Sequence, residues 1–402
     1  MSSDLVGFTR DAVASFAQID GFEARQSITA HDMLLEATIR VGRQQRIAIQ
    51  YESFRDSIAT LEDTLTGAPE FVDEDFSALS LTFDGEHTWV HDRKRDVVLR
   101  KAGRVVYSPM RGASAVGELG FLRTLTQDFL LRDLGEVTIH GAPARTVGLR
   151  PKAHLRSLLL KEEYFPVRSA SVAFDLATGF PVRVELRPAA DSPLALVAPS
   201  SEPITIEYRN VKLGEPPEER FRFAPPADAR VFVEEAVTAA SLTERLPFPL
   251  PLAPLEAAGF SAAPEALLAS DESHGRVYAR VVFRRDPTAE GQHRPRLTLR
   301  VGNYLSANMG RRRALLSEQG SPADIPADRP RLLVRSEQMA EGKELPWGAT
   351  LIELGWESRE TFWFLFAEAL GESELTALGR AIADAAASTT PTAQNGNPTA
   401  ED

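Results

Sequence analysis

The sequence predicts an α+β fold built mainly on antiparallel sheet, with two folded parts. Three observations carry that prediction. Apolar and polar residues alternate in many short runs, a few segments switch to helical spacing, and one dense cluster of prolines interrupts the chain. Alternation gives each strand one wet and one dry face, the pattern of antiparallel rather than doubly wound sheets.

Residues 4–18 open the chain with Leu5, Phe8, Ala12, Phe16 and Ile19 at helical spacing, so an amphipathic helix is expected there. After Gly21 the period becomes two. Leu35, Ala37, Ile39 and Val41 alternate with polar neighbours, and Ile47, Ile49 and Tyr51 follow the same rule. Leu79, Leu81 and Phe83 continue it, as do Val172, Phe174 and Leu176, then Val182, Val184 and Leu186, then Ile204, Ile206 and Tyr208. The short ATGFP connection at 177–181 makes a hairpin of the runs on either side. Two segments read as helices instead. Phe121–Leu134 carries Phe121, Leu125 and Phe129 at steps of four, and His154–Phe165 groups Leu155, Leu158 and Leu159. Repeated prolines make residues 188–203 a long loop.

Five prolines in residues 246–264 mark the strongest composition break, which sets the expected domains at 1–238 and 239–386. Beyond it, Val277–Phe283, Leu297–Val301, 349–356 and 361–367 read as strands. A closing helix starts near Ser373 as its N-cap, with Leu375, Leu378 and Ile382 inward. From Ala385 no large apolar residue remains, and 387–402 is expected to be a disordered tail.

Composition narrows the function. The 402 residues carry 45 Lys and Arg against 57 Asp and Glu, a net charge of −12, which disfavours nucleic acid and anionic membrane surfaces as partners. No cysteine is present, so disulfides, thiol catalysis and cysteine-held metals are excluded. No apolar run is long enough for a transmembrane segment, and the first twenty residues do not read as a signal peptide. Among the seven histidines only His87 and His91 stand close, beside Asp84 and Asp92, and two histidines fall short of a metal site. No phosphate loop, dinucleotide fingerprint or nucleophile elbow occurs. No catalytic residue, cofactor or metal is therefore assigned, and an enzyme is not expected.

Four stretches resemble one known family. LTFDGEHTWVHDRKRDVVLRK (81–101), containing Asp84, Gly85 and Trp89, is similar to the DG-x-x-x-W-x-x-D hairpin of the LolA-like lipoprotein carriers. VGLRPKA (147–153), with Pro151, resembles their L-x-P-K strand. Residues 175–187 and 204–232 resemble their closing hairpin and its F-x-F-x-P-P end, here Phe221, Phe223, Pro225 and Pro226. The resemblance implies an unclosed antiparallel β-barrel covered by helices. The segment VGRQQRIAIQY (41–51) departs from the carriers' basic, proline-containing one. In the second half, 247–260, 351–370 and 372–385 resemble the C-terminal domain of RseB/MucB-type envelope regulators, a smaller α+β domain.

Two functions follow from the resemblance. One is non-enzymatic binding of lipid or lipoprotein acyl chains in a hydrophobic cavity, as a carrier of the cell envelope. The alternative is an envelope-stress regulator that binds an anti-sigma factor or other membrane-anchored protein partner in response to lipid. Leu81, Phe83, Phe174, Leu176, Val184 and Ile206 are expected to line the cavity, under a covering helix carrying Phe121, Leu125 and Phe129. A periplasmic or other extracytoplasmic location is implied by the resemblance alone, and the cytoplasm is the alternative.

Overall fold

A computed structural model describes residues 3–30, 33–43, 46–55, 78–103, 125–152, 158–160, 163–165, 167–188, 202–263, 266–271, 273–286, 295–305, 307–335, 351–368 and 370–388. The chain divides into two compact units, 1–231 and 232–402.

The first unit begins with α1 (Ser3–Ala17), then β1 (Phe22–Ala30), β2 (Met33–Val41), β3 (Ile47–Arg55), β4 (Leu79–Phe83), β5 (His87–Asp92) and β6 (Val97–Ala102). A single turn of helix, α2 (Leu125–Asp128), leads into β7 (Phe129–Ile139) and β8 (Ala142–Pro151). A small separate hairpin, β9 (Leu158–Leu160) and β10 (Glu163–Phe165), precedes β11 (Val167–Asp175), β12 (Pro181–Pro188) and β13 (Ile204–Leu213). The main sheet is antiparallel throughout, in the order β7–β8–β11–β12–β13–β1–β2–β3–β4–β5–β6. No ladder among the described residues joins β6 to β7, so the sheet is unclosed. The antiparallel α+β architecture is the one the alternating sequence predicts, and the unclosed sheet is the one the resemblance implies.

Two expected helices are corrected. In Phe121–Leu134, only Leu125–Asp128 is helical and the rest of the described segment is strand β7. Steps of four are also multiples of two, so Leu125 and Phe129 satisfy either period. Pairing with β8 decides in favour of strand. The described part of His154–Phe165 is the β9–β10 hairpin; Tyr164 and Phe165 before Pro166 favour extended backbone.

The sheet separates its two faces cleanly. Residues paired directly across strands share a face. One such row runs Val147, Val172, Val184, Ile206, Ile28 and Leu35, and a second runs Ala24, Ile39, Ile49, Leu81, Val90 and Leu99. Every one of these residues is buried. The opposite face carries ion pairs and hydrogen bonds: Arg25 to Glu52 at 2.9 Å, Ser53 to Glu36 at 3.0 Å, and Ser171 to Glu185 at 3.4 Å.

Glu207 is the hub of that polar face. It accepts from Arg183 Nε at 2.6 Å and Arg209 at 3.2 Å, and meets His140 Nε2 at 3.2 Å. Burial works against its charge, but the two guanidinium groups and His140 outweigh burial and hold its pKa below the ordinary 4.5. A carboxylate depressed on folding adds stability above its unfolded pKa, and that stability is lost as pH falls through the folded value. Glu207→Gln is therefore expected to flatten the acid side of the stability profile. Urea midpoints between about pH 6 and pH 3 measure it, the wild type losing more than the variant.

The second unit is a separate α+β domain. Strand β14 (Arg230–Val237) enters it, followed by α3 (Ala239–Arg245), α4 (Ala253–Ala257), β15 (Ser261–Ala262), β16 (Ala266–Asp271), β17 (Arg276–Arg284) and β18 (Arg296–Gly302). Then come α5 (Ala307–Gln319), β19 (Ser321–Pro322), β20 (Asp328–Arg335), β21 (Leu351–Ser358), β22 (Thr361–Glu368) and α6 (Glu372–Ser388). Its sheet is ordered β14–β16–β17–β18–β22–β21–β20–β19, with β15 also on β17. The proline-rich stretch lies within this unit, where Leu246, Leu250, Leu255 and Phe260 enter the core. Helix α6 lies so close to β21 that a Cβ on Gly379 would come within 2.5 Å of Leu354 Cδ2. It starts one residue before Ser373, and Gly371 O accepts from Leu375 N at 3.0 Å. It also runs through Ser388, past the expected start of the tail, because alanine is the strongest helix former.

Candidate functional site

The candidate site is the apolar face of the first unit. Leu81 and Phe83 come from β4, Val184 and Ile206 are directly paired across β12 and β13, and Phe174 lies next to the end of β11. Leu125 sits on α2 and Phe129 begins β7. All seven are buried. Leu176 does not join them: it lies past the end of β11 at the turn into β12 and is 40% exposed. The alternation that includes it outlasts the strand by one residue. Phe121 lies outside the described residues.

Helix α1 packs on this face through aromatic rings. Phe8 meets Phe174 edge-on at 6.3 Å between centroids, and Phe16 meets Phe180 at 5.7 Å. Phe180 in turn contacts Phe22 at 5.1 Å and Tyr208 at 5.6 Å, all in the T-shaped geometry that ring quadrupoles favour. Gly179, at φ +70°, lets the chain turn directly beneath the helix: a Cβ there would stand 3.1 Å from Ser15 Cβ. The described helix on the face is thus α1, with α2 contributing one turn, in place of a long helix over residues 121–134.

A buried polar pair interrupts the apolar rows, and the Arg145–Asp133 ion pair ends them at β7. Gln26 Nε2 donates to Tyr208 Oη at 3.1 Å, and both residues are buried. Gln26 faces Tyr208 on one side and Ala37 on the other, and Ala37 faces Tyr51. Alternation of apolar residues does not encode this pair. Its partners stand 182 positions apart in the chain. The only available signal was a glutamine at a position where the strand pattern demands an apolar residue.

The family-motif residues have architectural work. Asp84 Oδ1 accepts from the amides of Glu86 at 2.9 Å and His87 at 2.8 Å, and Oδ2 accepts from Trp89 Nε1 at 2.9 Å. Burial raises its pKa, but these three donors prevail and hold it below the ordinary carboxylate value. Gly85 supplies φ +113° for the turn. Asp92 repeats the device, accepting from the amides of Lys94 and Arg95. The DG-x-x-x-W-x-x-D pattern is therefore two side-chain-closed turns flanking β5.

The other two motifs tie the sheet's accessory segments. Pro151 ends β8 opposite Phe129, and the adjacent Lys152 Nζ caps α2 through Thr126 O at 3.2 Å and Gln127 O at 2.6 Å. Phe221 is buried in a 3₁₀ turn (Glu218–Phe221) and fills the space above Gly42, where a Cβ would clash at 2.8 Å. Phe223 lies 5.6 Å from the ring of Trp89 and 5.7 Å from that of His91. Pro225 and Pro226 lead into a turn closed by Ala229 N and Pro226 O at 3.1 Å. His87 and His91 thus belong to an aromatic surface. No cluster of three or more His, Asp or Glu able to hold a metal ion occurs among the described residues.

No protein-family model matches the chain, and no curated protein matches it either. Solved structures do match. The chain is similar to MucB and LolA-superfamily structures. The complex of MucA and MucB from Pseudomonas aeruginosa aligns over 94% of this chain and 98% of that one, at 12% identity and a TM-score of 0.32. The Mycobacterium tuberculosis lipoprotein LppX aligns over 54% and 98%, at 14% identity and TM-score 0.31. A LolA superfamily protein of Nitrosomonas europaea aligns over 55% and 97%, at 12% identity and TM-score 0.27. The functional reading below rests on this chain's own ladders and packing. No helix among the described residues is long and apolar enough to cross a membrane.

Proposed function

We propose that the first unit binds the acyl chains of lipids or lipoproteins on its apolar face, as a non-enzymatic carrier-type protein of the cell envelope. One observation supports this above others. Ten strands, β1–β6, β8 and β11–β13, carry continuous rows of buried apolar side chains on one face, with ion pairs and hydrogen bonds on the other. Most of such a face recognises length and apolarity, and the buried Gln26–Tyr208 pair is a polar point against which an ester or amide can orient, with the Arg145–Asp133 ion pair at the β7–β8 end. Each methylene removed from water is worth about 0.8 kcal/mol, so ten methylenes offer roughly 8 kcal/mol before ordering costs. Micromolar binding corresponds to about 8 kcal/mol net, so chains longer than ten methylenes are expected to reach it without an ionic contact once ordering costs are met.

Recognition of this kind leaves the headgroup outside, and so suits a carrier that takes ligands of varied headgroup. The extracytoplasmic location belongs to the same proposal. Native mass spectrometry of the purified protein tests it, with organic extraction of whatever travels with it. A lipid-sized adduct on the intact chain is the expected result.

A further inference from the structure

We propose that the outward face of the β7–β8 edge docks an extended segment of a protein partner in which apolar and acidic residues alternate, added as a strand beside β7. Strand β7 terminates the sheet: among the described residues its only ladder is to β8. Natural edges are usually short, charged or covered, because unpaired backbone groups invite another chain. This one runs from Phe129 to Ile139 and exposes Leu130, Leu134 and Val137 at 51%, 49% and 39%.

These three side chains lie on the face that is polar elsewhere. Leu130 pairs with Arg150, and Val137 pairs with Ala144. Leu134 reaches over Gly148, where a Cβ would stand 3.2 Å from its Cδ1. All are on the side opposite the buried Val147 and Leu149, so they contribute nothing to the apolar face.

Two cations complete the pattern. Arg132, opposite Gly148, and Arg150, opposite Leu130, make no ion pair among the described residues. Neighbouring Arg145, by contrast, is neutralised by Asp133 at 2.5 Å and Asp4 at 3.3 Å. In a chain of net charge −12, arginines left without a carboxylate fit an acidic group from outside. Together Leu130, Arg132, Leu134, Gly148 and Arg150 line an open groove of about 510 Å³ that extends to Ser171 and Glu185.

The spacing specifies the partner. Residues of an added strand facing Leu130, Arg132 and Leu134 recur at every second position and must be apolar, acidic and apolar in turn. The bulge between Asp133 and Glu136, with Gly135 at φ +89°, ends the regular stretch and fixes where the added strand stops. A recessed groove beside an open strand edge suits an extended peptide, which can pair its backbone with β7, better than a flat bilayer, which cannot.

The test uses the full chain and a fluorescein-labelled peptide of about nine residues, repeating valine, threonine, glutamate and threonine. Saturable binding by anisotropy is expected. Arg132→Glu should weaken it by at least about tenfold and favour the same peptide with lysine in place of glutamate. N-methylating alternate backbone amides of the peptide should abolish binding on one of the two phases. Leu134→Ser should weaken it independently of charge. Binding insensitive to Arg132→Glu, or to both N-methylation phases, would overturn the proposal. So would absence of peptide binding together with Arg132-dependent sedimentation on phosphatidylglycerol vesicles. Wild-type uptake of a fluorescent acyl probe by the Arg132 variant shows that its fold is intact. Failure of that uptake in the wild type speaks against the lipid reading and leaves the peptide result standing.

Discussion

Replacing Ala37 with tryptophan is expected to weaken binding of a fluorescent acyl probe by at least about tenfold while lowering Tm by no more than about 2 °C. Ala37 is fully inside the first unit, paired with Gln26 on β1 and Tyr51 on β3. It is the smallest side chain in its row and stands beside the polar point of the apolar face. If that face receives a ligand, an indole at this position takes up ligand space and the strands keep their positions. If instead the side chains fill the interior by themselves, the indole must displace them. Overpacking then costs about 1–3 kcal/mol, and Tm falls by roughly 2–4 °C for each kcal/mol in a unit of this size. Probe titration and thermal melting on the same preparation separate the two outcomes. A large Tm loss with no wild-type probe binding would make the face a filled core.

Phe180→Ala carries the largest expected effect on stability, about 3–5 kcal/mol. Its ring is fully buried and makes edge contacts with Phe16, Phe22 and Tyr208, thereby joining α1, β1 and β13 at one point. Truncation leaves a cavity that three rigid rings cannot collapse into. Urea unfolding should show the midpoint of the first unit reduced strongly, with α1 released from the sheet. Leu176→Ala is the control. At 40% exposure it should change stability by no more than about 0.5 kcal/mol. A Phe180→Ala cost below about 1 kcal/mol would mean that α1 is not held to the sheet through this cluster.

The strands were legible wherever one face is wet and the other dry. The runs around Leu35–Val41 and Ile204–Tyr208 alternate because each sits mid-sheet with ion pairs on its outer side, and Leu79–Phe83 alternates with Ser80 and Thr82. The β7 segment was misread because its apolar residues fit a four-residue step and its exposed Leu130 and Leu134 break the alternation. That break is the very feature that marks the edge as a docking surface. Asp84 and Trp89 were recognisable as a motif, but their bond at 2.9 Å and the two amides held by Asp84 could come only from the folded hairpin. The Gln26–Tyr208 pair and the ring cluster around Phe180 join residues far apart in sequence, and no local spacing encodes such contacts.

The central claim is that the apolar face holds an acyl chain, and native mass spectrometry of the intact protein tests it most directly. A species heavier than the chain by one lipid, released on organic extraction and absent from Ala37→Trp, is expected. A bare chain that also takes up no added acyl probe, with the same mass profile in wild type and variant, would contradict it.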